Sequence, residues 1–478
     1  MSKITQYLVE FKNFFWSGPL LFLLIGLGAY LSWRLKGVQL RYLGHSLRLV
    51  FFPGKSKPTE ASSSKQKQQL SSFQSLMTGL AGAVGTGNIT GIAIALSIGG
   101  YGALFWMWVI AVFGMVTAYS EALLSIKYRS QSGEGALGGP MHTLVNGLGM
   151  KKTATAFCFL CILASFGIGG TVQSNSVAAG LREVFNIDPK LTGLFMSLFT
   201  GFVVLGGLKS IGKAAGVLVP FMGLLYLGAG TVVLFVHREH LGEAFILIFK
   251  GAFSGQAASG AFIGASAVAA IQQGVSNGIF ANEAGLGSLA LAAGTADTQN
   301  PAKQGMLAIC GVFVATMLIC SITGLTIAVT QVLGTSAPDG TLLTGSALTI
   351  TAFSKVIPGF GYIVVVGLVF FAFTTVLAWA YYGEVCLSFL FGVDTAKYYR
   401  IVYTLAVFLG VFIEPHLVWA LANLANGFMA VPNLISIFRL VPVVEQETQR
   451  YLASLGEQLD PGVVIESSLG DSSAGSLP

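Results

Sequence analysis

Charged side chains are scarce in this sequence. Only 10% of its 478 residues are Asp, Glu, Lys or Arg, and 54% are hydrophobic, with a mean hydropathy of +0.75. A soluble protein carries about 25% charged residues, so this composition excludes a soluble globular domain and indicates a polytopic membrane protein. The net charge of +6 does not indicate nucleic-acid binding, because the basic residues lie in loops between apolar segments.

Histidine and cysteine are also few, with five of each. They form no cluster suited to a transition metal, and no resident cofactor is indicated. Cys158 and Cys161 form a C-x-x-C pattern, but both lie inside an apolar helical run, which favours small buried side chains over a redox pair. Residues 207–213 match the first seven positions of a nucleotide P-loop, but Ala214 stands where Ser or Thr would bind magnesium. Neither ATP-driven transport nor an ATPase subunit is therefore indicated.

Long apolar segments, by contrast, are abundant and predict eleven membrane-spanning helices. The predicted spans are 18–33, 73–98, 102–126, 154–181, 191–208, 214–236, 258–291, 305–333, 359–382, 398–413 and 416–440. Residues 240–253 and 346–356 predict helices at the membrane surface, and the polar, acidic tail from Val443 predicts disorder. No cleavable signal is expected, since the basic cluster follows the first apolar run instead of preceding it.

Two of the predicted spans are interrupted in a way that a continuous membrane helix would not tolerate. The first contains Ala-Gly-Ala-Val-Gly-Thr-Gly-Asn-Ile-Thr at 81–90, and the second contains Phe-Ala-Asn-Glu-Ala-Gly-Leu-Gly at 280–287. Each glycine costs about 1 kcal/mol in helix propensity. In hydrocarbon, the backbone groups that a break releases must find other partners, so broken helices occur where they line a ligand site. Two such helices in corresponding halves indicate a secondary transporter.

The spans after the first divide into two sets of five, each opening with a broken helix. An odd number of spans per repeat predicts a 5+5 inverted repeat preceded by one extra helix. The predicted units are an N-terminal helix with a basic loop (1–72), the first repeat (73–236), an interfacial connector (237–257), the second repeat (258–440) and a tail (441–478). Nineteen of the 26 Lys and Arg residues then lie on the side of the C-terminus. This bias predicts the N-terminus outside and the C-terminus in the cytoplasm.

Polar residues at membrane depth are the best candidates for function. They include Gln173, Asn282, Glu283, Thr374 and Thr375. Hydroxyl, amide and backbone oxygens suit a hard monovalent cation, although any single polar group could serve only as a hydrogen bond between helices. The rings Phe280 and Trp379 lie near the second break and near Thr375, where they could either pack or wall a pocket. Glu121 and Glu384 are expected near span ends, where a hydrated carboxylate would have a structural or gating role.

The sequence resembles the alanine or glycine:cation symporters, also called the sodium:alanine symporter family. The resemblance rests on residues 99–114, which read Gly-Gly-Tyr-Gly-Ala-Leu-Phe-Trp-Met-Trp-Val-Ile-Ala-Val-Phe-Gly and fit the family signature. Shorter matches are Val-Gly-Thr-Gly-Asn at 84–88, Asn-Glu-Ala-Gly-Leu-Gly at 282–287 and Trp-Ala-Tyr-Tyr-Gly-Glu at 379–384. The sequence departs from the family pattern at His142, where Tyr is usual, and at Asn277, where a basic residue is usual. The resemblance implies a leucine-transporter-type fold and sodium- or proton-coupled uptake of small amino acids. It also implies a location in the plasma membrane, which in a bacterium is the inner membrane.

The same resemblance implies where ligands bind. The residues that it assigns to the amino-acid substrate are Gly85, Thr86, Gly87, Gln173, Phe280, Asn282, Thr375 and Trp379. It assigns the coupling Na⁺ to the carbonyl groups of Ala81 and Val84 and the hydroxyl groups of Thr374 and Thr375. Asn88 either belongs to a second ion site or holds the break together.

Two other classes compete with a sodium symporter. Proton-coupled symport would give uptake that is indifferent to sodium. A membrane receptor for amino acids would need a folded signalling domain, for which a tail of under 40 residues is too short. The expected partners are therefore the amino-acid substrate, Na⁺ and the lipid bilayer. The sequence does not choose among glycine, L-alanine and D-alanine.

Overall fold

The computed structural model describes residues 3–52, 69–132, 135–253, 267–337, 340–413 and 415–459. Apart from a short hairpin that pairs Ser130–Ser132 with Gly135–Leu137, the regular structure in these ranges is helical. Seven helical segments are long and apolar enough to cross a membrane: Phe14–Arg34, Gly102–Lys127, Lys151–Arg182, Gly207–Val236, Pro301–Thr330, Phe360–Phe391 and Leu421–Arg439. Shorter membrane-type helices are Thr90–Gly99 and Pro189–Val204.

The remaining helices connect, interrupt or flank these segments. They are Lys3–Ser17, Val38–Arg41, Leu43–Phe51, Ser72–Ala83, Pro140–His142, Leu241–Phe253, Ala267–Asn282, Ser288–Ala293, Gly345–Ser354, Ala396–Gly410 and Val441–Leu459, with 3₁₀ turns at Thr86–Asn88, Arg238–His240 and Val393–Thr395 and a π-helical turn at Thr143–Gly147. The helix Pro415–Arg439 contains the last of the apolar segments. Short helices therefore lie at both predicted surface segments.

Both predicted breaks are present. The first broken helix consists of Ser72–Ala83 and Thr90–Gly99, joined by the 3₁₀ turn. The second consists of Ala267–Asn282 and Ser288–Ala293, and between them Glu283, Gly285 and Gly287 have left-handed backbone conformations. Glycine adopts this conformation freely, whereas Glu283, at φ 56°, adopts one that non-glycine residues rarely show. Residues 258–266, with which the predicted second broken helix (258–291) begins, lie outside the described residues.

Two long helices carry π-helical turns at the level of the breaks. These turns span Ser165–Thr171 in the helix that continues to Phe185, and Phe313–Cys320 in the helix that ends at Thr330. A π turn shifts the backbone hydrogen-bond pattern and leaves carbonyl groups available to side chains, which is why such turns often mark functional sites. The sequence analysis did not predict either turn.

The structure corrects the predicted end of one span. The helix expected at 359–382 extends over Phe360–Phe391. It continues through Gly383 and ends before Gly392, whose φ of 91° is not helical. Glu384 is therefore an internal residue of a helix, only 9% exposed, and not a hydrated residue at its end. Both of its carboxylate oxygens accept hydrogen bonds from the Arg400 guanidinium at 2.7 Å, so this carboxylate is held by an ion pair.

The predicted disorder from Val443 is wrong for the part that the structure describes. Residues Val441–Leu459 form a helix whose apolar side packs on the other helices, with Val444 fully buried. Glu445 accepts two hydrogen bonds from Arg34 at 2.6 Å, and Glu447 pairs with Lys127 at 2.8 Å. Two of the acidic residues that suggested a solvated tail are therefore partners of basic residues at the ends of two spans. The predicted tail beyond residue 459 lies outside the described residues.

Candidate substrate and cation site

The two broken helices lie against each other at their breaks. Asn88 joins them: its side-chain oxygen accepts a hydrogen bond from the Gly85 amide at 3.0 Å, and its Nδ2 donates to the carbonyl of Ala281 at 3.2 Å. The same Nδ2 reaches the carbonyl of Ala315 in a π turn at 3.1 Å. A fourth hydrogen bond comes from Thr323, whose hydroxyl donates to the Asn88 carbonyl at 2.9 Å. These contacts favour the structural alternative for Asn88, that of holding the break together.

The first break also releases carbonyl groups toward the helix Phe360–Phe391. The hydroxyl oxygen of Thr375 lies 2.9 Å from the carbonyl oxygen of Ala81 and 3.4 Å from that of Val84. It also lies 2.9 Å from the carbonyl oxygen of Phe371, one turn earlier in its own helix. The structure therefore gathers three backbone oxygens and one hydroxyl at one buried point. Hard oxygen donors of this kind suit a cation such as Na⁺.

Thr374 is placed differently from its neighbour. Its hydroxyl bonds to the carbonyl groups of Phe370 and Phe371, at 3.0 and 3.1 Å, and lies 3.6 Å from the sulfur of Met222. Adjacent residues of a helix point in directions about 100° apart. This geometry explains why only the Thr375 hydroxyl lies at the freed carbonyls in this structure.

Gln173 brings a third helix to the first break. Its Nε2 donates to the carbonyl of Ile168 in the π turn at 3.1 Å, which directs Oε1 toward the Thr86 amide at 3.4 Å. A Cβ atom added at Gly85 would lie 2.6 Å from the Thr375 hydroxyl and 3.4 Å from Gln173 Oε1. Only glycine allows the backbone this approach to both side chains. Within the described part of the chain, the buried Thr86 hydroxyl has no hydrogen-bond partner.

The two predicted rings lie at different parts of the breaks. Phe280 covers the first break, because a Cβ atom added at Gly87 would lie 2.7 Å from its ring. Trp379 is fully buried one turn after Thr375 and faces the second break, where its indole N–H donates to Glu283 at 3.0 Å. The structure thus brings Gly85, Thr86, Gly87, Gln173, Phe280 and Thr375 together at the first break, whereas Trp379 lies at the second.

Asn282 lies on another side of the second broken helix. Its side chain accepts a hydrogen bond from the Ala284 amide at 3.0 Å and donates to Thr316 at 3.2 Å. It also lines a small cavity of about 30 Å³ together with Ser75 and Gln304. Such a volume is enough for about one water molecule. The contacts of Asn282 are those of a residue that stabilises the end of a half-helix.

Glu121 has a role that the sequence analysis did not find. It was expected near a hydrated span end, but it is only 2% exposed and lies inside the helix Gly102–Lys127. Its Oε1 accepts hydrogen bonds from the Gly287 amide, at 3.1 Å, and from Asn433. Asn433 also donates to the Gly285 carbonyl at 3.0 Å. The second break is thus held by a carboxyl group and an amide from two other helices. Asn433 could have been found from the sequence, because its amide is a polar group in the predicted apolar span 416–440.

A long helical membrane chain with two broken helices and buried polar groups at both breaks is a secondary transporter. Its fold resembles that of the transporter MhsT, solved in complex with L-phenylalanine. The TM-score is 0.55 and the sequence identity 14%, over 81% of this chain and 99% of that one. At this identity the likeness shows the fold, which is of the leucine-transporter type, and no more.

The chain belongs to the sodium:alanine symporter family, whose sequence profile matches residues 1–464. It is 44% identical to the sodium/alanine symporter AgcS of Methanococcus maripaludis over 92% of this chain and 95% of that protein. It is 35% identical to the probable sodium/glutamine symporter GlnT of Bacillus subtilis, over 96% and 94% of the two chains. The protein is therefore a membrane transporter of the cation-coupled amino-acid symporter class, not an enzyme.

Proposed function

We propose that this protein takes up alanine, glycine and D-alanine together with Na⁺ by alternating access. The observation that carries the proposal is the convergence of the Thr375 hydroxyl on the carbonyl groups of Ala81 and Val84. These carbonyls belong to a half-helix end, which carries about half a negative charge and favours a cation. The proposed Na⁺ ligands are these three residues with Thr374.

The substrate carboxylate is proposed to bind at the amides of residues 85–87, next to Gln173. Thr86 supports this assignment, because its hydroxyl is buried without a partner among the described residues and a substrate oxygen would satisfy it. The side chain of the substrate is proposed to point toward Phe280, Thr375 and Trp379. Asn282 is proposed to contribute through its position at the second break.

Alternating access is proposed to use the 5+5 inverted repeat of eleven spans, with the first span outside the repeat. In the proposed orientation in the plasma membrane, the N-terminus is outside and the C-terminus is cytoplasmic. The contacts of Arg34 with Glu445 and of Lys127 with Glu447 support one feature of this topology, since both join ends that it assigns to the cytoplasmic face.

Two alternatives have specific support. Glu121 and Glu283 are buried carboxyl groups at the second break, and groups of this kind carry protons in other transporters. The similarity to a probable glutamine symporter makes glutamine a rival substrate. Both alternatives are therefore included as outcomes of the test.

The test is uptake by purified protein in proteoliposomes. We expect an inward Na⁺ gradient to drive alanine and glycine uptake, with each competing against the other, while leucine and phenylalanine do not compete. Uptake that follows a proton gradient and ignores Na⁺ would reject the sodium proposal. Preference for glutamine over alanine would reject the proposed substrates.

A further inference from the structure

We infer that Glu283 is the positioning residue that holds the Trp379 ring in place, and that this bond sets the largest substrate the transporter accepts. The inference rests on the proposed function, because it concerns the same site. The bond between Glu283 and Trp379 explains why the Trp379 ring, which is proposed to border the substrate side chain, does not move aside for a larger substrate.

Glu283 lies at the point where the second helix breaks. Its amide still donates to the Ile279 carbonyl at 2.7 Å, but its own backbone is left-handed, with φ of 56°. This turn directs the side chain into the protein, where it is only 3% exposed. A residue other than glycine in this conformation commonly marks a functional site.

Both carboxyl oxygens of Glu283 have a donor. Oε1 accepts the indole N–H of Trp379 at 3.0 Å, and Oε2 accepts the hydroxyl of Ser288 at 2.7 Å. Ser288 begins the second half-helix, so one carboxyl group spans the break and reaches the neighbouring helix. Buried carboxyl groups need such donors, because no water replaces them in the membrane interior.

The Trp379 ring is also fixed from the other side. A Cβ atom added at Gly169 would lie 2.2 Å from the Trp379 Cβ, so the π turn packs directly against the root of this side chain. The Tyr382 ring lies edge-on to the indole, with 5.5 Å between their centroids. The indole is therefore held at Cβ, at one edge and at its N–H group.

A substrate with a larger side chain would have to displace this ring. Any displacement that breaks the N–H bond leaves Glu283 Oε1 buried without its donor. Hydrogen bonds to a charged group correspond to a factor of about 10 to 150 in an equilibrium constant. Glu283 thereby keeps the Trp379 ring from moving, without contacting the substrate itself.

The inference is tested by removing either partner of this bond. Glu283→Met removes both acceptors with a similar volume, and Glu283→Gln keeps a carbonyl oxygen for the indole. Trp379→Phe keeps a ring but removes the N–H group. Trp106→Phe is the matched control, since it removes an indole N–H that donates to the Ala252 carbonyl, in the helix Leu241–Phe253, at 3.1 Å.

Each variant is assayed for competition of leucine with labelled alanine at saturating Na⁺. We expect Glu283→Met and Trp379→Phe to lower the leucine concentration for half-inhibition by about tenfold or more, relative to that of alanine. Glu283→Gln and Trp106→Phe should keep the selectivity of the wild type. The double variant Glu283→Met/Trp379→Phe should be no less selective than either single variant, because both remove one bond.

A second measurement does not depend on transport. In protein labelled with 5-fluorotryptophan, the ¹⁹F signal of Trp379, assigned by its loss in Trp379→Phe, should shift in Glu283→Met and much less in Glu283→Gln. Unchanged leucine exclusion in Trp379→Phe, or effects that multiply in the double variant, would overturn the inference. Where Glu283→Met fails to fold, unchanged leucine exclusion in Trp379→Phe still overturns the inference. Absence of alanine uptake by the wild type would reject the proposed function, while the ¹⁹F signal would still test the contact.

Discussion

Replacing Thr375 by Val is the sharpest test of the proposed cation site. The change keeps the shape of the side chain and removes the hydroxyl that lies within 3.4 Å of the carbonyl oxygens of Ala81, Val84 and Phe371. The Ala81 and Val84 carbonyls belong to the broken end of a helix. They would remain buried, but a bound cation would lose a ligand.

The expected loss follows from the charge of the ion. A hydrogen bond to a charged group contributes about 1.5–3 kcal/mol, and we take the loss of one neutral oxygen ligand to be comparable. Since 1.36 kcal/mol corresponds to a factor of ten, the Na⁺ concentration for half-maximal uptake should rise by about 10- to 150-fold. A buried hydrogen bond between membrane helices averages only about 0.6 kcal/mol, so the thermal stability of the protein should change little.

The assay is alanine uptake into proteoliposomes as a function of external Na⁺, at a fixed membrane potential. Thr375→Ser, which keeps the hydroxyl, is the control and should stay within a few-fold of the wild type. Thr374→Val should have a smaller effect than Thr375→Val, because the Thr374 hydroxyl lies beside Met222 and bonds within its own helix. A normal Na⁺ dependence in a Thr375→Val protein that transports alanine would refute the assigned site.

Three further predictions concern the breaks and the topology. Gly87→Ala places a methyl group 2.7 Å from the Phe280 ring, so displacing that ring should cost about 1–3 kcal/mol and raise the KM for alanine, measured by uptake, in a folded protein. Asn433→Leu removes a hydrogen-bond donor from the buried Glu121 carboxyl and from the Gly285 carbonyl, which should lower the free energy of unfolding by about 1–3 kcal/mol for each group. The thermal unfolding temperature in detergent should therefore fall, and an unchanged temperature would contradict these contacts. A cysteine at position 250, in place of Lys250, should react with an impermeant thiol reagent from outside, and one replacing Lys57, which lies outside the described residues, should not; the reverse pattern would invert the topology.

The breaks were predictable because their signal is local. Gly82, Gly85 and Gly87 lie within six residues, and no other arrangement of a membrane segment explains them as well. The expectation that Thr375 lies at the freed carbonyls of the first break also agrees with the structure, but it came from the resemblance to a family and not from spacing. Its use in binding Na⁺ stays a prediction.

The contacts of the buried carboxyl groups could not be predicted in the same way. Glu121 and Asn433 are 312 positions apart, and only tertiary packing brings them together. Glu283 was visible as a charge at membrane depth, but its left-handed backbone decides which helix it reaches. The end of one span was also predicted too early. Gly383 directly follows the predicted end at residue 382, but it is buried inside the helix, which continues to Phe391.

The five cysteines have a consequence for experiments on this protein. All of them are buried as free thiols, so the wild-type chain itself should give little background with thiol reagents. Cys320 is a special case, because its sulfur lies 3.3 Å from Asn88 Nδ2, beside the first break. If transport opens that region to water, this native thiol becomes reactive only during turnover. In that case, the rate at which a thiol reagent inactivates transport would report how often the first break is exposed to water.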